Sequence, residues 1–220
     1  MNESKIRPKG VEEELDPLQI YTVDNVVGLD TMKLIPVKRW VDSMNAKKEI
    51  QTSSRFVARR MQAHFKNPEK LKLLRYMLLL IDLYNASKPG RHGRTLPRRE
   101  DLKKVLGDMP EAVLEGVKRK FTEGGQMSKQ MTDSMFMYLC ALAMMVDSAE
   151  VDIWDLKDDL KLETREMSVY FMQIGAKIVP LGEAERRKKG LEKVAAAQHK
   201  VAKLRAPLKY PQVSQGRARK

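Results

Sequence analysis

A chain of 220 residues with 42% hydrophobic and 32% charged content can bury one substantial core or two small ones, and it is too apolar to be disordered throughout. Its longest apolar run, Met135 to Val146, falls short of the roughly 18 residues a membrane span needs, and no apolar segment follows Met1, so neither a membrane protein nor a secreted one is expected. A single cysteine, Cys140, excludes a disulfide framework and favours a reducing compartment, while the net charge of +13 points to anionic partners.

Residues 1–19 are polar, with Pro8, Gly10, Pro17 and the run Glu12-Glu13-Glu14, and read as a flexible leader. From Ile20 to Val41, clusters of β-formers (Ile20-Tyr21-Thr22-Val23, Val26-Val27, Ile35-Pro36-Val37) alternate with turn formers, which reads as extended chain packed on a first folded unit. Ser53 to Phe65 carries Phe56, Val57, Met61 and Phe65 as a helical stripe, with Arg59 and Arg60 on the other face. Asn67-Pro68-Glu69 is a helix start: asparagine caps free amides, and proline sits where no hydrogen bond is lost. That helix is expected to run to about Asn85. A loop rich in Gly, Pro and Arg (Ala86 to Pro97) leads to a helix ending at Leu106, a turn at Gly107-Asp108, and a third helix opened by Pro110 with Val113, Leu114, Val117 and Phe121 inward. Gly124-Gly125 marks a tight hairpin, the place for a short wing.

The same order then recurs. Asp101-Leu102-Lys103-Lys104-Val105-Leu106 and Asp155-Leu156-Lys157-Asp158-Asp159-Leu160 each follow an apolar helix containing a late aspartate (Asp82, Asp147), and each precedes a stripe beginning seven residues after its last leucine, at Val113 and Met167. Three helices with a tight turn between the last two, repeated, is the pattern of two helix-turn-helix cores in series. The second copy starts with a helix apolar all round, Met135 to Val146, which predicts burial on several sides. Its third helix presents Met167, Tyr170, Phe171, Ile174 and Ile178 at helical spacing, and Ile178-Val179-Pro180-Leu181 is also a candidate wing strand. Glu183 to Leu204, rich in Ala, Lys and Arg, reads as helical, and Ala206 to Lys220 as extended and basic.

Charge is distributed unevenly. Glu183 to Lys220 holds 12 Lys or Arg against 3 Glu. Within the body, Ser54 to Arg75 has seven basic residues and one acidic, while Asp147 to Met167 has eight acidic and three basic, so the second unit is expected to present a solvated acidic flank.

Several stretches resemble, in their order, the C-terminal region of the forty-nine-kilodalton-class subunit of RNA polymerase I, the larger member of that enzyme's dissociable heterodimer. They are Tyr21-Thr22-Val23-Asp24-Asn25, Ser54-Arg55-Phe56-Val57-Ala58, Leu71 to Leu80, Pro110 to Thr122, Met131-Thr132-Asp133-Ser134-Met135, Val151 to Leu156, Leu160-Lys161-Leu162, Gly175-Ala176-Lys177-Ile178 and Leu204 to Pro211. The resemblance implies a mainly α, tandem winged-helix fold similar to one in the beta subunit of the general factor TFIIE. The residues themselves divide the chain into a leader (1–19), a first unit with its N-terminal extension (20–126), a second unit (127–182) and a basic tail (183–220). The resemblance also implies DNA binding near the polymerase cleft, support of initiation and elongation of ribosomal RNA synthesis, and a nuclear, nucleolar location. Members of that family carry an N-terminal dimerisation domain without counterpart here, so the chain is expected to be a fragment or a short member.

The third helices are poor base readers, because Glu111 and Glu115 in one and Glu163 and Glu166 in the other would repel phosphates. Contacts with duplex DNA are therefore expected at phosphates, through Arg91, Arg94, Arg98, Arg99, Lys103, Lys104, Lys118, Arg119, Lys120, Arg165, Lys177 and the run Arg186-Arg187-Lys188-Lys189, which also resembles a nuclear localisation cluster. Further partners implied are other polymerase subunits and an initiation factor, with no membrane. The alternative is a helical adaptor whose basic tail binds RNA during ribosome assembly. An enzyme is not expected: His64, His92 and His199 are scattered, the phosphate-loop and dinucleotide motifs are missing, and no cofactor or metal is called for. Asp155 and Asp159 lie one turn apart but without a calcium loop, and the methionines Met135, Met137, Met144 and Met145 read as core.

Overall fold

The computed structural model describes residues 6–91 and 93–211, and it corrects the expectation of a loose leader. The Ile6 carbonyl accepts a hydrogen bond from Ser134 Oγ at 2.6 Å, the Gly10 amide donates to the Tyr210 hydroxyl at 3.1 Å, and Asp16 caps a short 3-10 turn, Pro17–Gln19. These contacts reach sequence-distant parts of the body, so residues 6–19 are a strap laid over it. The stretch expected to be extended is helical instead: α1 (Val23–Val26), α2 (Leu29–Leu34) and α3 (Lys38–Asn45). Thr22 accepts from the Asn25 amide to start α1, and Gly28, at φ +92°, allows the bend into α2. Val26, Met32, Ile35 and Trp40 are then buried together, and that burial overrides the β-propensity of the individual residues.

Ser54 caps α4 (Arg55–Met61), and Asn67 caps α5 (Pro68–Ala86) by accepting from the Lys70 amide at 3.0 Å, as the local residues predict. The loop expected after α5 contains a hairpin, β1 (Lys88–Gly90) and β2 (Gly93–Thr95). Then come α6 (Arg99–Leu106) and α7 (Glu111–Phe121). Gly124 and Gly125, both at positive φ, make the expected tight turn, but only two residues of strand follow, β3 (Gln126–Met127), paired to β2. The first unit's projecting ribbon therefore precedes α6 and does not follow α7.

Ser128 caps α8 (Lys129–Val146), the helix expected to be buried on several sides; its residues from Met135 to Val146 are buried at all but two positions, Tyr138 and Met145. After it come β4 (Glu150–Asp152), α9 (Trp154–Asp159), α10 (Thr164–Gln173), β5 (Lys177–Pro180), α11 (Glu183–Lys188), α12 (Lys193–Gln198) and β6 (Lys200–Lys203). The second sheet runs β4, β6, β5, antiparallel throughout, with Val151 opposite Ala202 and Val179 opposite Val201. Its central strand lies inside the segment read as a tail. A boundary at residue 182 would cut this sheet, because Val201, Ala202 and Leu204 are as buried as the helices they cover. Residues 212–220 of the expected extended tail lie outside the described residues.

The architecture is mainly helical, and α5 and α8 pack along each other at its centre. Tyr84 of α5, Phe136 of α8 and Tyr170 of α10 stack edge to face with centroids 4.9 and 5.2 Å apart, so a single core runs through both halves. Among the described residues no helix is long and apolar enough to cross a membrane.

Candidate nucleic-acid interface

The aspartates around α9 are turned towards the body, while Glu150, Glu163 and Glu166 stay exposed. Asp159 sits over the start of α4: its Oδ1 accepts from the Arg55 amide at 2.8 Å, and its Oδ2 from the Ser54 hydroxyl at 2.5 Å and the Phe56 amide at 3.0 Å. One aspartate thus fills amide positions that the first turn of a helix leaves open. Desolvation pushes its carboxyl above the usual range despite these donors. Arg59 holds Asp155 at 2.8 Å, Arg60 holds Asp147, and Arg55 holds Asp158 at 2.7 Å. The basic stretch around α4 and the acidic stretch around α9, read from the sequence as contrasting surfaces, pair with each other, Arg60 within the molecule and Arg55 and Arg59 at its edge. Asp155 and Asp159 are buried, and their one-turn spacing serves helix docking.

The cations expected to meet phosphate fall into three groups. Some are already bound. Arg94 donates to Ser87 Oγ and the Ser87 carbonyl, both at 2.7 Å, and to the Tyr84 carbonyl at 3.3 Å, and it lies over the Tyr84 ring. It closes the C-terminal end of α5. Lys120 donates to the Val26 carbonyl at 3.0 Å with its ammonium 3.6 Å from the centre of the Tyr138 ring, and burial pushes its pKa down to about 8. Other parts of Lys120 are open to solvent, but the charged end is turned inward. Lys189 pairs with Asp152.

A second group is engaged by surface carboxylates. Arg99 and Lys103 of α6 meet Glu111 at 2.6 and 3.5 Å, Lys104 meets Asp101, Lys118 meets Glu115 at 2.8 Å, and Arg186 and Arg187 meet Glu183. Arg99 holds the Glu111 carboxyl below its ordinary range. Exposed pairs of this kind are weak, so a polyanion can displace them, yet each leaves a carboxylate beside the approaching phosphate. The third group, Arg91, Arg98, Arg119, Arg165, Lys177 and Lys188, is exposed and has no side-chain partner among the described residues. The structure brings Arg99, Lys118 and Arg119 to one groove of about 360 Å³ between α6, α7 and the Gly125 turn, floored by Leu96, Pro97 and Leu102. Arg165 and Lys177 lie on the second unit, apart from that groove, and the outer face of α10 also exposes Val169 and Met172.

Sequence reasoning missed Lys88, exposed on β1 and likewise without a partner among the described residues. The available signal was the run from Lys88 to Arg99, five cations without one acid. It also missed the cluster around Asp152. His199 Nδ1 lies 2.8 Å from Asp152 Oδ2, the Trp154 amide donates to Oδ1, and His199 stacks on Trp154 with ring centroids 4.6 Å apart. Together these fasten the approach to β6 onto β4 and α9. His64 lies far away in sequence at the end of α4, and His92 is outside the described residues. Among the described residues no group of three or more His, Cys, Asp or Glu is placed to hold a metal ion.

The family described as A49-like RNA polymerase I associated factor matches residues 1–211. The chain belongs to this family. Among curated A49 relatives it is 28% identical over 208 residues to DNA-directed RNA polymerase I subunit rpa49 of Schizosaccharomyces pombe, covering 90% of this chain and 48% of that protein. It is 24% identical over 218 residues to subunit RPA49 of Saccharomyces cerevisiae, covering 90% of this chain and 51% of that one. The chain thus spans about half the length of the A49 proteins it matches.

Proposed function

We propose that this A49-family chain is a non-catalytic module of RNA polymerase I that holds duplex DNA by its phosphates, largely regardless of sequence, while ribosomal RNA genes are transcribed. The observation that carries the reading is the order of the second half: helix α8, strand β4, helices α9 and α10, then β5 and β6, with the last strand in the middle of the sheet. A winged helix is built that way, and the first half repeats its three helices with a small sheet of its own, so a tandem winged helix is the fold we assign. The excess of positive charge and the exposed cations without a side-chain partner among the described residues, Lys88 included, supply the electrostatic term of duplex binding.

The reading makes the other polymerase subunits and an initiation factor its protein partners and the nucleolus its location. Its test is a titration of duplex DNA against salt. A log-log slope of about −4 or steeper corresponds to roughly four or more phosphates engaged. Absence of duplex binding at low salt overturns the proposal, and tighter binding of RNA than of duplex turns it towards an adaptor in ribosome assembly.

A further inference from the structure

Granting the duplex-binding reading above, we infer that the first unit meets DNA with the hairpin β1–β2, through Lys88 and Arg91, and not with α7, the helix in the position of a base reader.

The chemistry of α7 argues against its use. Its outer face carries Glu111 and Glu115, and the cations nearest to them, Arg99, Lys103 and Lys118, are spent on those carboxylates at 2.6 to 3.5 Å. The next cation, Lys120, is turned inward onto the Val26 carbonyl and the Tyr138 ring. Only Arg119 remains free along this helix, and one arginine beside two carboxylates gives a helix little reason to enter a groove lined with phosphate.

The hairpin has the opposite character. Every residue of β1 is exposed, Arg91 is exposed at the turn, and no acid occurs between Lys88 and Arg99. A free ribbon would lose its order cost on binding, but this one is rooted at three points. The Leu96 amide donates to the Gly125 carbonyl at 2.9 Å. Gly93, at φ +136°, lets β2 lie against β3 so closely that a Cβ there would stand 2.3 Å from the Met127 carbonyl oxygen. Arg94 ties the ribbon to the end of α5 through Ser87 and Tyr84. Arg94 is therefore a positioning residue: its Nε and Nη2 donors are taken within the protein and its guanidinium is held over the Tyr84 ring, while Lys88 and Arg91 are open to meet phosphate. A rooted, acid-free ribbon with two open cations is a preorganised phosphate contact.

The test compares three variants of the full chain on the same duplex across a salt series: K88E/R91E, K118E/R119E and Arg94→Met. The hairpin reversal is expected to lower affinity at least tenfold at low salt and to flatten the log-log slope by roughly 2, about 0.9 per phosphate lost. The α7 reversal, equal in charge change, is expected to lower affinity less than threefold. Arg94→Met should weaken binding while leaving the slope in place, since no phosphate contact is removed. A duplex affinity and slope untouched by K88E/R91E, with the wild type binding normally, overturns the hairpin assignment alone, as does an α7 reversal with the larger effect. A flattened slope in Arg94→Met overturns its positioning role. Failure of the wild type to bind any duplex overturns the underlying reading as well. Lys88 and Arg91 hold no partner among the described residues, so unchanged melting temperatures are expected to accompany the binding loss.

Discussion

Arg60 grips Asp147 through both carboxylate oxygens, Nε at 2.6 and 2.8 Å and Nη2 at 2.5 Å, and both side chains are largely shielded from water. The same guanidinium lies over the Phe56 ring and donates to the Phe56 carbonyl, so it is fixed within α4 before it reaches across to the end of α8. Removing Asp147 takes away the close two-oxygen partner of this shielded guanidinium and leaves it the longer contact to Asp155 Oδ2 at 3.6 Å. Asp147→Ala is expected to cost about 3 kcal/mol in urea unfolding, the range for breaking a buried pair. Asp158→Ala, which frees the exposed Arg55 and leaves Lys157 its place over the Trp154 ring, should cost less, about 1 kcal/mol or under. Equal costs for the two would mean that burial does not set the strength of this clasp.

The clasp explains what was legible in the sequence and what was not. The doubled Asp-Leu-Lys motif falls on helices α6 and α9, because leucine spacing and, for α6, the Gly107 stop act within a few residues. The divergence between its copies was visible too, but not its meaning. Asp101 is exposed and meets only Lys104, and Val105 points to solvent. Their counterparts Asp155 and Asp159 are buried beneath α4, about a hundred residues earlier in the chain. Local pattern reports periodicity, and it is blind to which distant helix will cover a charged face. The same blindness placed Lys120 and Arg94 among phosphate contacts, and it hid β6, whose Lys-Val-Ala-Lys sequence carries little strand signal until β4 and β5 flank it.

Lys120 gives a prediction with a defined pH sign. Its folded pKa of about 8 lies below the ordinary lysine value of roughly 10.4, so between those limits the unfolded chain binds more protons than the folded one. Stability relative to Lys120→Met should therefore rise as pH climbs from about 8 to about 10.4, read from urea midpoints across that range. The same substitution should leave duplex affinity within about twofold, because the ammonium faces the Val26 carbonyl and not solvent. A large loss of DNA binding would show that Lys120 leaves its pocket for phosphate.

Asp152 behaves in the opposite sense. Burial opposes its charge, but Lys189, His199 and the Trp154 amide outweigh that and hold its carboxyl below the ordinary aspartate range. A depressed folded pKa contributes stability above the unfolded value of about 3.9 and loses it as pH falls further. Because these partners fasten α12 and β6, acidification below about pH 4 should raise hydrogen exchange at the amides of β6 relative to α5. Matching exchange in the two elements through that range would remove Asp152 as the fastener.

Residues 183–220 look like a detachable basic tail, and deleting them would be the natural test of tail binding. The position of β6 changes what that deletion measures. Val201 and Ala202 complete the sheet between β4 and β5, and Leu204 and Leu208 are buried against the body, with Leu208 beside Gly175. Losing them strips four apolar side chains from the core, each worth about 1 to 3 kcal/mol of burial, and leaves β4 and β5 without a partner. The deletion is expected to abolish the cooperative melt, so loss of DNA binding would follow from unfolding alone. Reversing Arg187 and Lys188 to Glu removes charge from exposed positions of α11 while keeping β6, and should preserve the melt. Any fall in duplex affinity then reports phosphate contacts made by α11 itself. A cooperative melt retained after deletion of 183–220 would show that the fold is complete without β6, the central strand of its second sheet.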